Sequence, residues 1–450
     1  YRFNGLGEME SQTDGRGWDT TMAYDALGRL TTRTEYKSSL AAAVEPFTTS
    51  WTYDAATPGS TCGQTGPNGT PATKGKLCEV STTVNALAST RTRHIYDAVG
   101  RQVQSTVDLD RSAAPSAGGR DGPRSFVSTL LYDTQSRVVA TGSPGGVVQR
   151  NVFQSWGGAL TTVTDGAGAV AHWQASARYL DGQISSMSVG GINTVKAYDG
   201  LGRLDTIVAG GGAIQNVNVD FDIFGNLKAR SDSASGLAFE TFKYDALNRL
   251  THTGTTATSF PTVLATYDEV GNITSKRGQG AYTYDAISKR LSGFNGNTYG
   301  YDNNGNVLTD GQRGIVYNTF NLPDTITRGA NTLAYSYDHS HSRVKESSPT
   351  HGTTYYLGGY ELVIPVDSTD VTPKREERTY INTPEGTVGV ITQVSSGNAT
   401  GAATQSTDTR YWHKDHLGSI SAITNASGAV VQRFRFDPWG QRECLNLGTL

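Results

Sequence analysis

Tyr198-Asp199-Gly200-Leu201-Gly202-Arg203-Leu204 is the phrase from which the chain is composed. It returns as Tyr24-Asp25-Ala26-Leu27-Gly28-Arg29-Leu30 and as Tyr244-Asp245-Ala246-Leu247-Asn248-Arg249-Leu250. An aromatic residue closes one strand. Asp then offers a short acceptor to backbone N–H groups just beyond it, which fixes a turn. Gly supplies positive φ at little steric cost, a long polar residue follows, and Leu opens the next strand. Asn248 takes the Gly place in the third copy, and Asn321 takes it in Tyr317-Asn318-Thr319-Phe320-Asn321-Leu322. Asn is the best non-glycine residue for left-handed backbone. The swap therefore points to a conformational demand rather than a contact.

Tyr-Asp pairs begin at positions 24, 53, 96, 132, 198, 244, 267, 284, 301 and 337. Phe221-Asp222-Ile223-Phe224-Gly225-Asn226-Leu227 fills the gap between 198 and 244. Asp199, Asp222, Asp245 and Asp268 stand 23 residues apart, and Asp268, Asp285 and Asp302 stand 17 apart. About 20 residues accommodate two ordinary strands and two turns, so each unit reads as one β-hairpin. High Gly and Thr content argues against long helices. The fold class is all-β. In Leu204-Asp205-Thr206-Ile207-Val208 the side chains alternate faces and neither face is strongly apolar, which suits a sheet with a modest inner surface. A β-propeller is the architectural rival, but blades of about 40–45 residues fit these intervals only if two units make one blade.

Three excursions interrupt the rhythm. Residues 55–76 are rich in Gly and Pro and separate Tyr53-Asp54 from Gly75-Lys76-Leu77, the displaced second half of the phrase. Residues 111–124 and 395–409 read as further exposed loops. Cys62 and Cys78 flank the first excursion, either bridged, for roughly 3 kcal/mol in the chain-entropy model, or as two thiols. Cys444 stands alone. The sequons at Asn68, Asn272, Asn398 and Asn425 arise readily in a Ser/Thr-rich chain and carry no weight.

The 450 residues carry a net charge of −3, 18% charged residues and 53 glycines. Near-neutral charge leaves no electrostatic footprint for nucleic acid. The most apolar run, Leu362-Val363-Ile364-Pro365-Val366, is too short to span a bilayer and is broken by Pro. The chain opens in mid-phrase at Tyr1-Arg2-Phe3-Asn4-Gly5-Leu6-Gly7, so it reads as a fragment of a longer polypeptide.

The texture changes near Tyr355. Tyr355-Tyr356-Leu357-Gly358-Gly359-Tyr360 precedes the charged patch Lys374-Arg375-Glu376-Glu377-Arg378. Then come Tyr411-Trp412-His413-Lys414-Asp415-His416-Leu417-Gly418-Ser419 and Phe434-Arg435-Phe436-Asp437-Pro438-Trp439-Gly440. The Tyr-Asp-x-x-Gly-Arg/Asn-Leu units resemble the YD repeats of the RHS (rearrangement hotspot) family. The block from His413 to Gly440 resembles the opening of the RHS repeat-associated core. Residues 1–354 are then the repeat β-shell, and 355–450 begin the core and continue the shell.

The likeness implies a ribbon of antiparallel hairpins that spirals into a hollow shell or part of one. In the family such shells wrap a C-terminal toxin domain or the C-terminal part of an insecticidal toxin complex. Teneurins use the same shell for adhesion at the cell surface. The expected function is a non-catalytic shell that holds a toxin or effector domain of the same polypeptide inactive until delivery, secreted or at the cell surface, with a secretion or delivery apparatus as a further partner. The alternative is an adhesion or carbohydrate-binding module whose recognition loops are 55–76 and 111–124. The family's self-cleaving aspartate segment and its toxin domain are expected to lie beyond Leu450, so no residue here is assigned autoproteolysis.

No catalytic, cofactor-binding or metal residue is assigned. His339 and His341 could share a strand face toward a metal, with His351 following, but they fall in a repeat turn. His413, Asp415 and His416 could suggest acid–base work. Asp415 reads instead as a turn cap, and Asp437 fills the Asp place of the repeat. Catalytic carboxylates need different environments, whereas these aspartates occupy equivalent ones. The repeat tyrosines are expected to form cross-strand ladders.

Overall fold

A computed structural model describes residues 1–38, 46–54, 75–111, 124–156, 158–366, 374–397 and 403–445. Among them the regular structure is β-strand, apart from two three-residue 3-10 turns, Gly210–Gly212 and Ser233–Ser235. The all-β expectation holds. The chain divides into two compact units, one of residues 1–148, 297–378 and 393–406, the other of residues 149–296, 379–392 and 407–450.

Within each unit, strands pair antiparallel with their sequence neighbours. In the second unit, Ile192–Tyr198 pairs with Leu204–Ala209, which pairs with Gln215–Phe221, then Leu227–Asp232, Leu237–Tyr244 and Leu250–Gly254. In the first, strands from Pro323–Arg328 through Asn331–Tyr337, Arg343–Ser348 and Gly352–Leu357 to Tyr360–Ile364 do the same. Each phrase is the turn of one hairpin, as its spacing predicts.

The register carries a signature that the spacing does not announce. Ala197 faces Thr206 but Tyr198 faces Leu204, so Asp205 is an extra residue and the ladder bulges at the tyrosine. The same shift occurs at Tyr24, Tyr53, Tyr96, Tyr244, Tyr267 and Tyr337. A bulge bends its strand and adds local right-handed twist, so each of these hairpins is bent at its tyrosine.

The apolar core is dispersed. In the first unit Leu109, Phe126, Val344, Tyr355, Tyr360, Leu362 and Ile364 form one cluster. The apolar run before Pro365 is thus the end of the strand Tyr360–Ile364, which buries Tyr360, Leu362 and Ile364 on one face. In the second unit Ile207, Val217 and Val219 form one cluster, and Ala209, Ile214 and Ala422 another. Thr49, Thr82 and Thr424 are wholly buried. Hairpins that bury surface mainly against neighbours are the energetic pattern of repeat arrays.

Candidate functional site

The turn itself is the most repeated piece of chemistry. Asp199 N donates to Arg203 O at 2.8 Å, and Gly202 N donates to Asp199 O at 2.9 Å. Asp199 Oδ1 accepts from Leu201 N and Arg203 N, both at 2.9 Å, and Oδ2 accepts from Arg203 Nε at 2.7 Å. The carboxylate therefore ties the residue four positions on by both its backbone and its side chain. The Arg203 backbone N–H, above all, holds the Asp199 carboxyl below its ordinary value, and Asp25, Asp133 and Asp245 are held down in the same way.

The long polar residue does more than fill a turn. Arg203 Nη1 crosses to the next turn and donates to Asp222 O at 2.8 Å, with its guanidinium 5.2 Å from the Phe221 ring centre. Arg101 does the same to Asp133 O and Tyr132, and Arg249 to Asp268 O and Tyr267. The tyrosines answer in the opposite direction. Tyr244 Oη donates to Leu227 O and Tyr267 Oη to Leu250 O, both at 2.9 Å. The expected aromatic ladder is thus a ladder of hydroxyl-to-carbonyl bonds and guanidinium–ring contacts linking successive repeats. Its signal was in the sequence, in the constant Tyr-to-Arg spacing.

Asn248 and Asn321 adopt positive φ, as expected, at +58° and +63°. Two details extend that reading. Ser136, His341 and Lys289 also adopt positive φ in repeat turns, so the swap is not confined to Gly and Asn. The asparagines also make a contact: Asn226 Nδ2 donates to Asn248 Oδ1 at 3.0 Å, and Asn306 Nδ2 to Asn321 Oδ1 at 2.9 Å. In both pairs the preceding turn carries Asn where other copies carry Arg.

Asp54 shows that the displaced phrase closes. Its backbone N donates to Lys76 O at 3.0 Å, and its carboxylate accepts from Gly75 N. Residues 55–74, with Cys62 and Asn68, lie outside the described residues, as do 112–123 and 398–402. Cys78 is buried and disulfide-bonded, and Cys444 is a free, exposed thiol.

His339 and His341 sit in the turn of Asp338, not on a strand face. His341 stacks on Phe320, with ring centres 3.9 Å apart, and its Nε2 lies 2.7 Å from Arg33 Nη2 and 3.3 Å from Glu35 Oε1. His351 Nδ1 meets Thr350 Oγ1 at 2.8 Å. Among the described residues no group of three His, Cys, Asp or Glu side chains is arranged to hold a metal ion. Asp437 Oδ1 accepts from Trp439 N and Gln441 N, which is the turn role its position implies. Asn425 plays the same part for Ser427 N and Ala429 N.

The block 411–419 packs into the second unit through buried polar contacts. Tyr411 Oη lies 2.9 Å from His172 Nδ1. Gln215 Nε2 donates to Lys414 O at 3.0 Å and to Ser421 Oγ at 2.7 Å. His413 Nε2 lies 3.0 Å from Thr424 Oγ1, and burial, with Arg433 assisting, lowers its pKa to about 4. Asp415 Oδ1 caps its turn by accepting from Leu417 N and Ser419 N, both at 2.9 Å. Beside the block lies a cavity of about 210 Å³, bordered by Thr194, Lys196, Glu385, Lys414 and His416. His413 is thus bonded to Thr424, and the Asp415 carboxylate to backbone N–H groups of its own turn. The cavity can hold a small molecule by hydrogen bonds and charge.

Two family models match the chain: the teneurin YD-shell over residues 167–357 and the RHS repeat over residues 3–35. The tRNA3(Ser)-specific nuclease WapA of Bacillus spizizenii is 26% identical over 212 residues, 44% of this chain but 8% of that protein. The solved structure of TcdB2-TccC3-Cdc42 matches over 97% of this chain and 24% of its own, at 14% identity and a TM-score of 0.67. A Tc holotoxin pore of Photorhabdus luminescens matches over the same shares at 13% identity and a TM-score of 0.62. At such identities the structures share the fold, and this chain spans about a quarter of their length. No helix among the described residues is long and apolar enough to cross a membrane.

Proposed function

We propose that this chain, which is built of RHS/YD repeats, is part of a non-catalytic β-shell. The shell encloses a C-terminal toxin or effector domain of the same polypeptide and keeps it inactive until delivery. The observation that carries this reading is the repeat-to-repeat clasp of Arg and Tyr, which lets hairpins hold one another without a single central core. Such a wall can be thin. The toxin-complex fold neighbours and the nuclease relative support the same direction.

The assignment of 1–354 to repeats and 355–450 to the opening of the core goes with this proposal, as does placement outside the cell or on its surface. The test uses the full polypeptide with its C-terminal domain. Limited proteolysis is expected to leave that domain intact while the isolated domain is digested, and its activity is expected to rise when the shell is opened with denaturant and diluted. Equal digestion of free and attached domain would overturn the reading. The teneurin match favours a second reading, a cell-surface adhesion module, which cell-binding measurements with the isolated chain would reveal.

A further inference from the structure

The cavity beside residues 411–419 contains polar groups that the turn chemistry does not use. Thr194 is only 2% exposed, lines the cavity, and has no hydrogen-bond partner for its hydroxyl. Both ring nitrogens of His416 are shielded from water and without a partner, and its ring borders the same space. Buried donors and acceptors are nearly always satisfied, so two unsatisfied side chains at one cavity call for a ligand or water.

Charge decides which ligand. Two ammonium groups, Lys196 and Lys414, line the cavity with two carboxylates, Glu385 and Asp415. Glu385 is taken by Lys196 in a close ion pair. Lys414 Nζ reaches only the main-chain oxygen of Glu385, at 3.4 Å. The other carboxylate, Asp415, is committed to backbone N–H groups of its own turn. Among the described residues Lys414 Nζ is half-buried with no carboxylate oxygen in hydrogen-bond contact, and a carboxylate within hydrogen-bond reach would offset the cost of burying it. Burial accordingly lowers the Lys414 amine below the ordinary lysine range, with Glu385 opposing the shift and Lys196 adding to it. Met187, Val189, Leu204, Ile207 and Val388 supply an apolar part of the wall.

We propose that this cavity is a binding site for a carboxylate carrying a short apolar body, with Lys414 as its counter-ion and the Thr194 hydroxyl as a second donor. The apolar wall receives the body, and a recess of mixed polarity with a few convergent donors is the usual form of a small-ligand pocket. The ligand is either a free small acid or the carboxylate end of a polypeptide. The inference is independent of the enclosure reading.

Calorimetric titration with benzoate, and with benzamide as the uncharged analogue, tests it. Benzoate is expected to bind and benzamide not. Lys414→Met is expected to weaken benzoate by about tenfold or more, the worth of one charged hydrogen bond, and Thr194→Val by several-fold. Thr194→Val is isosteric and keeps the test decisive if Lys414→Met fails to fold. A parallel arm compares the tripeptide Gly-Gly-Phe with its C-terminal amide. Binding of benzoate alone identifies a free acid, and binding of the peptide acid identifies a chain end. Either upholds the site. Failure of both acids to bind, or equal binding to both variants, overturns it.

Discussion

Replacing Gly225 separates backbone conformation from packing. Gly225 has φ +85°, and a Cβ built there meets no heavy atom within 4 Å. Crowding therefore cannot distinguish Asn, Ala and Val at this position; only the cost of left-handed backbone can. That cost is roughly 1–2 kcal/mol for an L-residue, less for Asn and more for a β-branched side chain. Asn248 already occupies the equivalent place in the following repeat, at φ +58°. The expected losses are about 0.5 kcal/mol for Gly225→Asn, about 1 for Gly225→Ala and about 2 for Gly225→Val. A repeat array need not unfold in one step, so the readout is local: hydrogen exchange at the Gly225 and Asn226 amides, which bond to Asp222. Each 1.4 kcal/mol of lost stability speeds exchange about tenfold where opening is in fast equilibrium. If the three variants exchange alike, or Asn is worse than Ala, the slot is not selected by φ and the reading of the phrase is wrong.

Gly190→Ala probes a different demand, because its Cβ would lie 2.2 Å from Tyr411 Cδ2 at a backbone φ of +56°. Tyr411 is buried against His172 and cannot yield cheaply. A loss of about 3 kcal/mol is expected from overpacking and strain together, read as a lower melting temperature and altered near-UV circular dichroism; an unchanged melting curve would refute the packing. Acid should destabilise the chain in two stages. His413 resists protonation until about pH 4, against an ordinary 6.5, so the unfolded chain binds a proton that the folded chain refuses. His413 alone then costs roughly 3 kcal/mol between pH 6.5 and 4, at about 1.4 per pH unit, and His413→Gln is expected to make the slope shallower without abolishing it, because burial also lowers the pKa values of His94, His172, His339 and His416. The turn aspartates act lower. Their contribution is complete above the ordinary value of 3.8 and disappears as pH falls through their lowered values. Denaturant midpoints at pH 7, 5 and 3 measure both stages.

The sequence alone determined the hairpins. Tyr-Asp-x-x-Gly-Arg-Leu states a turn in local terms: an acceptor that reaches two and four residues ahead, a residue free to take positive φ, and strand formers on either side. Asp54 with Gly75 shows how strong that local code is, since the turn closes over twenty intervening residues. The clasp was half legible. The constant spacing of Tyr and Arg was visible, but that Arg203 reaches Asp222 O while Tyr244 reaches Leu227 O depends on how successive hairpins stack. Only the tertiary structure decided the cavity. Thr194, Glu385 and Lys414 belong to stretches up to 220 residues apart, and nothing in their own neighbours distinguishes them from other polar strand residues. A turn is a contest among bonds within seven residues, which the local sequence settles. A pocket is set by which distant strands become neighbours, and every repeat offers almost the same edge for that choice.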